Sequence, residues 1–272
     1  MIEKKIGLIG SGQMAQALAV GFIRKGLVSP AEILASDPND HARQRFHEVT
    51  GAGTTDNNLE VMRTQDIIIL AVKPQVLSRV LDEIQGRVSP EKLIVSIVAG
   101  ATLDTLHRAL GENARIVRVM PNTPALIGFG ASAFAPGRNV RPADVQIVQV
   151  MFSAVGIAVQ VEERLMDAVT ALSGSGPAFV YLFIEALTDA GVRHGLSRDL
   201  ARQLAVQTVR GAAEMVIQTS EHPAVLRDRV TSPGGTTIAG LAAMEESGFR
   251  GAVFAAIEAA AQRAWELSRE GR

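Results

Sequence analysis

The stretch Ile6-Gly7-Leu8-Ile9-Gly10-Ser11-Gly12-Gln13-Met14-Ala15 decides the fold class. The apolar run from Lys5 to Ile9 reads as a buried strand. It passes directly into Gly10-x-Gly12-x-x-Ala15 and then into a helical pattern that ends near Gly26. Each small residue has a physical task at this spacing. Gly10 permits the tight turn, Gly12 lets the backbone approach a pyrophosphate, and Ala15 lets helix and strand pack closely. The helix N-terminus then faces the phosphates. A second strand candidate, 32–36, ends at Asp37, about where an acidic residue reaches a ribose 2′-OH. This order of elements predicts nucleotide binding rather than a structural glycine turn.

Further strand candidates lie at 66–72, 92–98, 115–120 and 157–161, with helical stretches at 13–25, 40–48, 75–85, 102–110 and 143–154. The run Asp66 to Val72 is continuously apolar after its first residue, as in a parallel strand covered on both faces. The alternation predicts an α/β, doubly wound, Rossmann-type N-terminal domain over 1–162. After residue 162 strand signals stop. Helical stretches follow at about 164–172, 177–193, 198–218, 222–229, 236–246 and 250–269, giving an all-α C-terminal domain over 163–272. The segment Pro177 to Leu187 is apolar on nearly every face, which predicts burial all round. About 110 residues surround such a helix poorly, so an interlocked homodimer with a shared core is expected. The alternative is burial between the two domains of one chain.

Bulk properties exclude several classes of function. Apolar residues make up 47% of the 272, so a sizeable core can form. The net charge is −1 and no long charge run exists, so neither a nucleic-acid groove nor an anionic-membrane partner is expected. There are no cysteines, which removes disulfides and thiolate chemistry. The five histidines, at 41, 47, 107, 194 and 222, lack metal-ligand spacing and read as surface or capping residues; no metal is expected. No apolar run of membrane length is expected, Ile67 to Val72 being only strand length. The first strand starts near the beginning of the sequence, so a leader peptide is not expected and the cytoplasm is the simplest location.

Three strand ends carry small or polar residues: Ala71-Val72-Lys73-Pro74, Ile97-Val98-Ala99-Gly100, and Met120-Pro121-Asn122-Thr123-Pro124. Such loops let a flat nicotinamide ring lie close to the backbone. A further glycine-rich loop, Thr231-Ser232-Pro233-Gly234-Gly235-Thr236-Thr237, precedes a helical pattern and gathers backbone N–H groups suited to a small anion. Its plainer reading is a cap, with Thr as N-cap after a Pro-Gly turn. No Ser-His-Asp set and no paired carboxylates stand near these loops. Hydride transfer to an imine fits that poverty, because an imine nitrogen is basic enough to take its proton from water. A hydroxyl at Thr236 or Thr237 would hydrogen-bond that nitrogen, and the loop N–H groups would hold a substrate carboxylate.

Taken with the segment Asp167-Ala-Val-Thr-Ala-Leu-Ser-Gly-Ser-Gly-Pro-Ala178 and with Asp228 to Ile238, these motifs resemble the pyrroline-5-carboxylate reductase family over essentially the whole chain. The resemblance implies the last step of proline biosynthesis, reduction of 1-pyrroline-5-carboxylate to L-proline by NAD(P)H. NADP (as NADPH) is the implied default, and NADH (NAD) use stays open because Asp37 would repel a 2′-phosphate unless Arg43 or Arg45 offsets it. The resemblance implies cofactor contacts at Ile9, Gly10, Ser11, Gly12, Gln13, Met14, Asp37, Asn58, Ala71, Val72, Lys73, Pro74, Ala99 and Gly100. It places substrate by Lys73, by Ser173, Gly174, Ser175 and Gly176, and by Gly234, Gly235, Thr236 and Thr237 of a partner subunit. Thr237 and Lys73 are the implied catalytic residues, with Thr237 bonding the imine nitrogen. Dimers through the C-terminal helices, assembling to a decamer, are also implied.

Two other functions stay in view. A reductase of another cyclic imine shares the plan of a Rossmann domain followed by helices. A non-catalytic NADP(H) sensor shares the nucleotide fold but gives no reason for the Ser173 and Gly234 segments. Oxidation of a hydroxyacid is disfavoured, since that chemistry needs a Lys early in the first long C-terminal helix and 177–190 has none.

Overall fold

A single strand organises the sheet. In the computed structural model, which describes residues 2–270, β1 (Ile6–Ile9) is an interior strand, third from one edge of an eight-stranded sheet. The outermost limits of the two expected domains, residues 1 and 271–272, lie outside the described residues. The other strands are β2 (Ile33–Ser36), β3 (Gly53–Thr55), β4 (Ile67–Leu70), β5 (Leu93–Ser96), β6 (Arg115–Met120), β7 (Gly130–Pro136) and β8 (Gly156–Gln160). Their order is β3-β2-β1-β4-β5-β6-β7-β8. Strands β1 to β6 pair in parallel, β7 runs antiparallel to β6, and β8 runs parallel to β7. The chain order reverses between β1 and β4, which opens a crevice at their carboxyl ends. Ile6 aligns with both Ile33 and Ile67, so the glycine loop after β1 and the ends of β2 and β4 arrive at one level.

Six helices accompany this sheet: α1 (Gln13–Arg24), α2 (Asp40–Thr50), α3 (Asn58–Thr64), α4 (Pro74–Ile84), α5 (Leu103–Leu110) and α6 (Pro142–Ser153). They bury two apolar layers, one around Leu8, Leu18, Phe22, Phe46 and Phe134, the other around Ile9, Ile68, Leu81, Ile94 and Leu106. Strand β4 is fully buried, as its uninterrupted apolar run requires. A buried ion pair, Arg115 Nη1 to Asp144 Oδ1 at 2.7 Å, ties β6 to the start of α6.

Six more helices follow: α7 (Met166–Val169), α8 (Gly176–Arg193), α9 (Arg198–Thr219), α10 (Pro223–Arg229), α11 (Thr236–Glu246) and α12 (Phe249–Glu270). Between α7 and α8 the backbone makes a π-helical turn, Thr170–Gly174. The described chain divides into one compact unit that runs to Ser175 and resumes at Ala259, and another of 176–258. Within the first unit the end of α12 reaches the loop after β5, where a Cβ on Gly100 would lie 3.3 Å from the Leu267 carbonyl.

Several expectations need correction. The strands β3 and β7 and the helix α3 carry no sequence signal that was legible. β3 is a short polar edge, and β7 is built mainly of Gly, Ala and Ser. The segment from Glu163 to Arg193 forms joined helical structure of 31 residues that is long and apolar enough, by length and composition, to cross a membrane. Strand-sized runs alone hid this, because Ser173-Gly-Ser-Gly176 interrupts the apolar pattern. The expectation of a helix covered by a second subunit needs no such correction: in the single chain Tyr181 and Leu182 stand largely in solvent, Leu182 at 66%. His107 is neither a surface nor a capping residue. It is buried in α5, with neither ring nitrogen hydrogen-bonded. His222, by contrast, does cap α10, its Nδ1 accepting the Ala224 N–H at 3.2 Å.

Candidate active site

The crevice between β1 and β4 is a cleft of about 640 Å³. It is lined by Ile9, Gly10 and Gly12, by Asp37 and Asn58, and by Ala71, Val72 and Lys73. These eight expected cofactor residues come from three separate strand ends and one helix start. The volume lies in the range of small-ligand sites.

The glycine loop has two unlike glycines. Gly10 sits at φ +99°, and a Cβ there would lie 2.6 Å from the Ala71 carbonyl oxygen. Its lack of a side chain is required by the protein itself. Gly12, the N-cap of α1, has φ −67° and ψ −175°, and a Cβ would meet nothing within 4 Å. Here the protein leaves space that its own packing does not demand. Ser11 adds a second mark of an incomplete environment, since its buried Oγ has no hydrogen-bond partner. An open approach to a helix N-terminus beside an orphaned hydroxyl fits the pyrophosphate of a dinucleotide.

Asp37 locks the far side of the cleft. Its Oδ2 accepts the Ser11 N–H at 3.0 Å and its Oδ1 accepts the Asn39 N–H at 2.9 Å. Gly10 N–H donates to the Ser36 carbonyl at 2.7 Å, so the ends of β1 and β2 are stitched twice. Arg43 turns inward, its side chain only 19% exposed, and donates to the Asp37 carbonyl at 2.7 Å. It also pairs with Asp40 at 2.8 Å. Asn58 accepts from Ser36 Oγ at 2.7 Å and donates to Glu83 at 2.8 Å, which fixes its amide orientation.

Not every expected residue lines this cleft. Ser11, Gln13, Met14 and Pro74 are chain neighbours of its lining residues, while Ala99 and Gly100 lie in the loop after β5. The reading from sequence missed Ser36, Asn39, Asp56, Arg79 and Glu83 among the lining residues. Val76, Arg79, Val80 and Glu83 follow helical spacing along α4 and would have been found by continuing the Val72-Lys73 edge into that helix.

The remaining expected residues form two local structures. Ser173 and Gly174 close the π-helical turn, with Ser175 and Gly176 directly after it. The loop 231–237 is exposed for much of its length, and Gly234 sits at φ +67°. The N-cap of α11 is Gly235 rather than a threonine, without a side-chain cap, so Thr236 and Thr237 open the helix itself. The cap expected from a threonine is therefore absent, because the Ser232-to-Gly235 turn closes first, with Gly235 N–H on the Ser232 carbonyl at 3.1 Å. Among the described residues, no cluster of three or more His, Cys, Asp or Glu could hold a metal.

Comparison with known proteins gives a consistent result. Residues 163–267 match a family model described as pyrroline-5-carboxylate reductase dimerisation, and residues 5–100 match one described as NADP oxidoreductase, coenzyme F420-dependent. The chain is 47% identical over 270 residues to the pyrroline-5-carboxylate reductase of Methanosarcina acetivorans, covering 99% of this chain and 100% of that protein. It is 42% identical to the Escherichia coli pyrroline-5-carboxylate reductase over 268 residues, with 98% and 100% coverage. The crystal structure of the Plasmodium falciparum pyrroline carboxylate reductase with NADP bound superposes with a TM-score of 0.90 at 38% identity, covering 98% of this chain and 99% of that one.

Proposed function

The chain belongs to the pyrroline-5-carboxylate reductase family, and from that membership we infer that it reduces 1-pyrroline-5-carboxylate to L-proline with NADPH. It is an oxidoreductase of proline biosynthesis. The observation that carries the reading is that one chain joins a switch-point dinucleotide cleft to a segment matching the family's dimerisation model.

The residues of the cleft fit a nicotinamide dinucleotide. We propose that Gly10, Ser11 and Gly12 present the pyrophosphate with the start of α1, that Asp37 and Asn58 border the adenosine ribose, and that Ala71 to Pro74 with Ala99 and Gly100 flank the nicotinamide. When bound, the cofactor supplies the hydride that saturates the C=N bond. The protein needs no strong acid of its own, because the imine nitrogen is basic and takes a proton from solvent before or at binding. The Thr237 hydroxyl then orients that nitrogen. Backbone N–H groups of Gly234 to Thr236 hold the substrate carboxylate, and Lys73 supplies positive charge on the same side. Residues Ser173 to Gly176 form the remaining substrate contact in this proposal.

The dimerisation segment makes the protein a homo-oligomer. In our reading the loop carrying Thr237 comes from the partner subunit, dimers assemble further to a decamer, and the enzyme works in the cytoplasm. The expected domain division at 162/163 is likewise a proposal, close to the start of the matched segment at 163.

The decisive experiment follows oxidation of NADPH, and separately NADH, on addition of 1-pyrroline-5-carboxylate, with proline identified as product. Turnover with proline formed is the expected result. Cofactor binding without oxidation would point to another cyclic imine first and to a sensor second.

A further inference from the structure

We propose that Asn122 is a positioning residue for the substrate side of this reaction: its side-chain amide fixes the π-helical turn that presents Ser173 to Gly176. The proposal rests on the reductase reading and on the assignment of that turn to substrate.

The argument starts from Pro177. In an α-helix the carbonyl of Ser173 would accept the N–H of residue 177, and proline has none. The helical ladder is therefore interrupted just where the chain widens into a π turn, with Ser175 N–H donating to the Thr170 carbonyl at 2.8 Å, five residues back. Single π turns are uncommon, and they cluster at functional sites because regular helix is the cheaper alternative. Something must hold this one.

Asn122 supplies that hold. It stands at the N-cap of the short 3-10 turn Thr123–Ile127, a place where asparagine ordinarily accepts a helix N–H. Here its side chain makes no cap. Its Nδ2 donates to the Ser173 carbonyl at 3.0 Å, and its Oδ1 accepts the Ala131 N–H of β7 at 2.9 Å. The residue is 8% exposed. Donor and acceptor ends both have partners, so the amide can sit only one way round. Met120, two residues earlier, packs against the bare Cα of Gly174, where a Cβ would lie 2.7 Å from Met120 Cε. The end of β6 and the loop after it thus grip the turn at two adjacent residues.

Two variants separate positioning from folding. N122D keeps the acceptor for Ala131 but turns an oxygen toward the Ser173 carbonyl. Its kcat/KM for the imine is expected to fall about ten- to hundredfold while the Kd for NADPH stays within about twofold. Part of that loss should return at low pH, where a protonated carboxyl donates again. P177A offers Ser173 a regular helical donor, so Tm should hold or rise while kcat/KM falls. Opposite signs of that kind do not arise from a poorly folded enzyme. Turnover within about twofold of wild type in either variant, or NADPH affinity lost in step with substrate parameters, would overturn the proposal. A wild-type enzyme without turnover would sink the reductase reading instead. Hydrogen exchange of residues 170–176 would then still decide the matter: faster in N122D if the amide holds the turn, unchanged if it does not.

Discussion

Gly12→Ala is the substitution that most directly tests how the cleft works. Gly12 already has an extended backbone that any residue adopts, and a Cβ would touch nothing within 4 Å. Alanine is a poorer N-cap than glycine by roughly 1 kcal/mol or less. It also restricts the unfolded chain, which returns about 0.4–1 kcal/mol. The two effects nearly cancel, so the melting temperature should move by no more than about 3 °C for a chain of this size. Cofactor binding should behave differently. In the proposed binding mode the new methyl group occupies the space through which a pyrophosphate reaches the start of α1. Loss of one charge-assisted hydrogen bond there is worth about 1.5–3 kcal/mol. At 1.4 kcal/mol per decade, the Kd for NADPH should rise about ten- to hundredfold.

Gly10→Ala is the control. Its backbone is left-handed at φ +99°, and its Cβ would press to 2.6 Å from the Ala71 carbonyl oxygen. Strain of about 1–3 kcal/mol, before any movement of the β4 end, should lower both stability and affinity. The assay is a thermal melt paired with titration of NADPH fluorescence for each variant. Unchanged affinity in Gly12→Ala would refute the reasoning, as would a melting temperature that drops as far as that of Gly10→Ala.

Thr237→Val should lower kcat/KM for the imine about three- to tenfold with NADPH affinity near normal, since it removes one neutral hydrogen bond; unaltered steady-state turnover would take Thr237 out of the mechanism. Asp37→Ser should raise the NADPH-to-NADH ratio of kcat/KM by removing a carboxylate held in the cleft by Ser11 and Asn39; a ratio equal to wild type would mean Asp37 does not face the ribose. His107→Leu should leave stability within about 1 kcal/mol or improve it, because the buried ring bonds through neither nitrogen. Denaturant melts would count against that account if the variant lost more than about 2 kcal/mol.

The cleft was legible in the sequence because its determinants are local. The glycine spacing after β1, the acid at the end of β2 and the small residues after β4 each follow a strand end that periodicity reveals. Arg79 and Glu83 were not legible in the same way. Their spacing along α4 is visible, yet their relevance depends on β4 lying beside β1, which is a fact of topology. Strand β7 escaped for a different reason. Its residues Gly130, Ala131, Ser132, Ala133 and Ala135 have weak strand preference, and burial against its neighbours β6 and β8 overrides that preference. Asn122 was visible within Met120 to Pro124 without a role, because its partners are nine and fifty-one residues away.

The exposed helices of residues 176–258 follow from the same limits of local reading. An apolar pattern announces that a helix will be covered and says nothing about which chain covers it. In the single chain, Leu182 on α8 is 66% exposed and Phe254 on α12 is 77% exposed. A groove of about 420 Å³ runs past Phe179, Leu182, Phe183, Met244, Phe249 and Val253. Apolar surface left in water forgoes about 25 cal/mol for each Å² that could be buried, and helices gain most of their stability from tertiary packing. Their segment coincides with the match to the dimerisation model over 163–267, so a second copy is the cover that the family supplies. A partner that binds only the folded segment adds to its stability, so thermal melts should depend on protein concentration. The loop before α11 belongs to this same exposed segment, so the proposed role of Thr237 stands or falls with assembly.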